Sequence, residues 1–133
     1  MIEFGPVLVT ALVAIVSGSL LRERKQKGLY TLLYHRLHGE RTTLPGSEAL
    51  FSVSADRFAE QIDALLDADY HFVSPRQALS MVEGKHPITD KGVLIAFDDG
   101  CESIYSLAEP ILTSRGIQGL VFVTTDPDAF VFH

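Results

Sequence analysis

Cysteine is almost missing from these 133 residues. Cys101 stands alone, which excludes an intramolecular disulfide and any zinc site built on cysteines, and leaves the cellular compartment open. Basic residues are few as well: 11 Lys and Arg against 17 Asp and Glu give a net charge of −6. Without a basic stripe to offset phosphates, nucleic acid is excluded as the main partner. Internal repeats and low-complexity tracts are absent too. What remains is enough chain for one small domain with a real core, 47% of it apolar.

Charge is missing altogether from residues 5–21, GPVLVTALVAIVSGSLL, which run into the basic cluster 22–27, RERKQK. A stretch of this length sits at the lower edge of what spans a bilayer as a helix. The expectation is an N-terminal hydrophobic helix over 1–27, a membrane anchor or signal segment, followed by a separate domain over 28–133. A cleaved signal peptide, with Ser17, Gly18 and Ser19 near the cut, would lack the usual positive n-region. A buried hydrophobic helix is the plain structural alternative. The basic flank can touch anionic lipid heads, and by the positive-inside rule it points to a cytoplasmic C-terminal side.

From Gly28 the pattern becomes globular. Residues 29–34, LYTLLY, read as a strand ending at His35 and Arg36, and 38–53 as a loop with Gly39, Pro45 and Gly46. Ser54 is placed as an N-cap before a helix with Phe58, Ile62, Leu65 and Leu66 at helical spacing. A second strand is expected over 70–73. Ser74 and Pro75 then open a second helix through Gln77, Ala78, Leu79 and Val82, proline suiting the first helical position. The clearest strand is 93–97. It precedes a helix carrying Ile104, Leu107, Ala108, Ile111 and Leu112, in which Pro110 predicts a kink or early break. Gly116 fits a C-cap, and a last strand is expected over 119–124. This β-α-β-α-β-α-β order predicts an α/β domain with a parallel sheet or barrel covered by helices.

The chemistry concentrates in GVLIAFDDGCESIY, residues 92–105. Asp-Gly often marks a hairpin, but the apolar residues after Gly100 recur at helical spacing. Asp98 and Asp99 therefore lie at the C-terminal end of a strand in a βα unit, where α/β folds collect ligands and catalytic groups. Strand alternation would aim the two carboxylates in different directions. One could ligate a metal while the other stays free as a base, and a divalent cation would relieve their repulsion. Gly100 would let the backbone turn sharply out of the strand. These residues alone point to a metal-assisted hydrolase or a phosphoryl-transfer site. His35 ends the first strand and would face the same rim.

Four segments in order, LLYHR (32–36), RFAEQIDALLDADYHFVS (57–74), LIAFDDG (94–100) and GIQGLVFVTT (116–125), resemble the polysaccharide deacetylase family, the NodB-homology group of carbohydrate esterases. The resemblance implies a partial distorted (β/α) barrel and metal-dependent removal of acetyl groups from an N-acetylated amino-sugar polysaccharide. Carried over, it makes Asp98 the general base, Asp99 a ligand of zinc or a similar divalent ion, and His35 a pocket or second-shell residue. The family's second metal motif, a His-x-x-x-His pair, would follow a further helix, and His133 comes too early to supply it. The chain is thus expected to hold the N-terminal portion of such a domain. Its substrates would place it in the cell envelope, on a side of the membrane that the basic flank disputes.

Two other readings stand beside this one. A catalytically inactive carbohydrate-binding or assembly module could keep the strand edge without the metal. A magnesium site for phosphoryl transfer would need a phosphoacceptor Asp on a later strand, which neither Asp126 nor Asp128 offers. Cys101 reads as a small packing residue, His71 and His86 as surface histidines, and Glu102 and Glu109 as the solvated face of their helix.

Overall fold

The computed structural model describes residues 28–39, 44 and 46–125. The hydrophobic segment expected over 1–27, and His133, lie outside the described residues. Among the described residues, no helix is long and apolar enough to cross a membrane.

The fold is built around one strand. β5 (Gly92–Phe97) is buried at every residue, as expected of an apolar run covered on both faces of a parallel sheet. β1 (Leu29–Tyr34) lies along its whole length, from Leu29 opposite Gly92 to Tyr34 opposite Phe97. β4 (His71–Phe72) pairs with Gly92 and Val93, and β6 (Gly119–Val121) with Ile95 to Phe97. Since β1 occupies one edge of β5 completely, β4 and β6 share the other, end to end. All these pairings are parallel, which fits the helical crossovers between the strands.

The helices follow from local sequence. α2 (Ala55–Asp67) is capped by Ser54, whose hydroxyl accepts from the Arg57 N–H, and it buries Phe58, Ile62 and Leu65. α3 (Pro75–Val82) opens on a reciprocal capping box between Ser74 and Gln77, with proline in its first turn. It buries only Ala78; Leu79 and Val82 stay exposed. The helix after Asp99 begins at residue 102 and widens into a π-helical turn (Ile104–Ala108) before α4 (Glu109–Thr113). The expected disturbance at Pro110 takes this form. A proline ring in regular α geometry crowds the carbonyl four residues back, and here the ladder loosens just ahead of it, with the Glu109 N–H bonding the Ile104 carbonyl.

The region expected to be only loop contains structure. β2 (Arg36–His38) pairs in parallel with β3 (Ser52–Ser54), and a short α1 (Gly46–Ala49) precedes β3. Three-residue strands with polar residues give no periodic signal, so pattern reading misses them. β4 and β6 are each shorter than expected, although the Phe122 N–H still bonds the Phe97 carbonyl at 2.8 Å.

The two faces of β5 anchor two apolar clusters. Val93, Ile95 and Phe97 pack with Tyr34, Leu37, Phe58, Ile62, Ile104, Ala108, Leu112 and Ile117, while Leu94 packs with Val73 and Ala78 under α3. Burial pushes the Tyr34 phenol well above its usual range, and its hydroxyl donates to Gln61 Oε1 at 3.0 Å. Outside the core, Arg115 clamps Asp63 through Nε and Nη2 at 2.6 and 2.8 Å, joining the segment after α4 to α2.

Two measurements check this packing. Phe58→Ala, at a fully buried position, should cost about 3–5 kcal/mol in urea unfolding. The Arg115 hydrogen bonds hold the Asp63 carboxyl below its ordinary value of 3.8. A carboxyl depressed in the folded state stabilises above its unfolded value and loses that contribution as pH falls through the folded one. Asp63→Asn should therefore cost at most about 1 kcal/mol at pH 7, the side chain being half exposed, and flatten the acid loss of stability below about pH 4.

Candidate active site

The C-terminal rim of β1 and β5 carries the site. Because Tyr34 pairs with Phe97, the next residues, His35 and Asp98, emerge side by side. The ladder extends one step further to hold them there, the Asp98 N–H donating to the Tyr34 carbonyl at 3.1 Å. The chain then leaves the sheet abruptly. Asp99 has φ 65° and Gly100 φ 70°, and the Gly100 N–H bonds back to the Asp98 carbonyl at 2.8 Å. Left-handed backbone at a non-glycine residue costs about 1–3 kcal/mol and collects at functional sites. Gly100 suits its place because glycine takes a φ of 70° without strain.

This turn changes what strand alternation led one to expect. Asp98 and Asp99 do not diverge; the left-handed step at Asp99 brings both carboxylates onto His35. The imidazole lies between them, with Nδ1 against Asp98 Oδ1 and Nε2 2.8 Å from Asp99 Oδ2. Of the two contacts, the one to Asp99 has hydrogen-bond length, while the one to Asp98 Oδ1 is a close approach without hydrogen-bond geometry. The His35 ring thus separates the two adjacent acids. All three side chains are partly accessible, as groups that meet a substrate must be.

The same three residues suit a metal in donor type and spacing. One imidazole nitrogen and two carboxylate oxygens lie within 4.8 Å of one another, a nitrogen and oxygen set of the kind zinc accepts. Asp98 Oδ1 is sealed from solvent and, though it touches His35, makes no well-formed hydrogen bond. A buried acceptor in that state favours a stronger electrophilic partner.

The surroundings support the rim. Leu37, 2% exposed, roots β2 in the core, and its N–H donates to Ser103 Oγ at 3.2 Å. His38 Nδ1 and Ser52 Oγ are 2.7 Å apart across the β2–β3 ribbon. The Phe51 ring packs on the His35 ring with centroids 5.4 Å apart. Phe51, His38 and Ser103 were not among the expected site residues, because their placement depends on a ribbon that has no periodic signal. Cys101 packs against the core as expected, and His71 and His86 are exposed. Glu102 and Glu109 lie on the solvated face and accept from Ser106 and Thr113 respectively.

No protein-family model matches the chain. YxkH of Bacillus subtilis (strain 168), named for polysaccharide deacetylase, is 30% identical over 109 residues, which are 80% of this chain and 36% of that protein. The poly-beta-1,6-N-acetyl-D-glucosamine N-deacetylase of Escherichia coli (strain K12) is 30% identical over 96 residues, 71% of this chain and 14% of that one. The solved structure of IcaB from Ammonifex degensii superposes with a TM-score of 0.63 at 37% identity, over 74% of this chain and 39% of that chain. The chain is part of a polysaccharide deacetylase domain. It spans little more than a third of YxkH, and its mixed α/β architecture is that of the deacetylase structures.

A double-mutant cycle tests the rim contact directly. His35→Ala and Asp98→Asn should couple by about 0.5–1 kcal/mol in denaturant unfolding, a value set by partial exposure. Additivity within error would mean the contact contributes nothing in solution.

Proposed function

We propose that this chain contributes the first part of the catalytic centre of a metal-dependent deacetylase acting on an N-acetylated amino-sugar polysaccharide. The observation that carries the reading is the convergence of Asp98, Asp99 and His35 at one strand edge, in a chain that is part of a polysaccharide deacetylase domain. Asp99 is the metal ligand, Asp98 the general base, and His35 the residue lodged between them, in the pocket or second shell. A divalent cation, zinc by the donor types, would supply Lewis-acid polarisation of the acetyl carbonyl. Asp98, the less exposed of the two carboxylates, would take a proton from the attacking water, a role that requires hydrogen-bond reach of that water. Asp99, at the left-handed turn, is the more exposed of the two carboxylates.

The same reading extends to architecture and location. The four parallel strands are taken as part of a distorted (β/α) barrel over 28–133, and 1–27 as a membrane anchor or signal segment placing the domain at the cell envelope. The sequence pattern of residues 5–21 supports the anchor. The relatives named as deacetylases favour the enzyme over a binding or assembly module without catalysis.

The test is acetate release from an N-acetylglucosamine oligosaccharide by the protein as its host makes it. Asp98→Asn should lower kcat by at least about 100-fold with metal content kept, as loss of a general base does. Asp99→Asn should lower metal content measured by mass spectrometry together with activity. Full activity in either variant would contradict the assignment.

A further inference from the structure

Phe51 is 62% exposed and the neighbouring Leu50 81% exposed, beside a site made of polar groups. An aromatic ring left open against a cluster of polar side chains offers an apolar face to a ligand held at those groups. Its position is not accidental. β2 and β3 run parallel with Arg36 opposite Ser52, Leu37 opposite Val53 and His38 opposite Ser54, so one step back along the ribbon sets His35 beside Phe51. The ribbon cannot slide, because Leu37 is buried, its N–H is held by Ser103, and His38 is tied to Ser52. The two rings meet at an interplanar angle of 39° with centroids 5.4 Å apart. One part of the Phe51 ring thus rests on His35, while the rest of the side chain stays open to solvent.

We infer that Phe51 is a sugar-stacking platform of this site, holding a pyranose ring of the acetylated polysaccharide next to the unit whose acetyl group faces Asp98 and Asp99. The inference rests on the deacetylase reading and adds to it a residue that selects the polymer. An aromatic face carries negative quadrupole charge, and the C–H face of a pyranose offers the weakly positive, apolar surface that complements it. A carboxylate or hydroxyl-lined rim could bind the sugar's hydroxyl groups but could not orient its ring. Because Phe51 touches His35 and His35 touches both carboxylates, a sugar stacked on Phe51 is indexed to the acid pair through one rigid contact each.

The experiment is an NMR titration of the full chain, labelled on its histidine, phenylalanine and aspartate side chains, with a β-1,6-linked N-acetylglucosamine tetrasaccharide. The expected result is perturbation of His35 and Phe51 signals together. Phe51→Ala should weaken binding about five- to tenfold, Phe51→Trp should restore it, and Phe51→Leu should not, because leucine keeps the apolar area but has no ring face. Unchanged shifts at sites remote from the rim, such as Gly119, check that the variants are folded. Perturbation of His35, Asp98 or Asp99 with Phe51 unmoved, or equal affinity in Phe51→Ala, overturns the platform and leaves the deacetylase reading standing; another part of the protein would then cover Phe51. No perturbation at any of these residues overturns both.

Discussion

Because β1 lies along the full length of β5 in parallel register, whatever follows each strand must appear at the same edge of the sheet. That constraint creates the site. Tyr34 opposite Phe97 commits His35 to stand beside Asp98, and no adjustment of side chains alone could separate them. The register is in turn secured by burial. A slip of one residue would turn Val93, Ile95 and Phe97 away from the main cluster and reverse both faces of the sheet. The position of a rim histidine is therefore enforced by the apolar core beneath it.

The rim converts this placement into chemistry through backbone strain. An extended residue 99 would aim its carboxylate away from Asp98. The left-handed conformation of Asp99 brings the acids together at a conformational cost, with His35 lodged between them. The same arrangement suits a cation held by carboxylates, with a base alongside and a histidine to order both. A strand edge that collects such groups is where α/β folds place their active sites.

Much of this was legible in the residues. The apolar run of β5, the Ser54 cap and the 58, 62, 65 stripe of α2, and the Ser74, Pro75, Gln77 start of α3 each state their structure locally. That Asp98 and Asp99 end a strand, and that His35 faces the same rim, also followed from pattern. Three things did not. The direction of the Asp99 side chain depends on a positive φ, which Asp69 also adopts and which no periodic pattern announces. The β2–β3 ribbon uses strands of three residues with Arg36, Ser52 and Ser54 among them, so nothing repeats. The end of β6 at Val121 depends on how far its partner β5 extends, which is a tertiary matter. Leu79 and Val82 have the spacing of a buried face yet lie exposed, since α3 meets the sheet mainly through Ala78.

The central claim is that one imidazole joins both carboxylates, and the most direct measurement is the ring-nitrogen NMR spectrum of His35 in three proteins: the unaltered chain, Asp98→Asn and Asp99→Asn. The account predicts that removing the Asp98 charge moves the Nδ1 signal and removing the Asp99 charge moves the Nε2 signal, each substitution acting mainly on its own nitrogen. If neither substitution moves either nitrogen, His35 does not bridge the pair, and the site described above does not exist in solution.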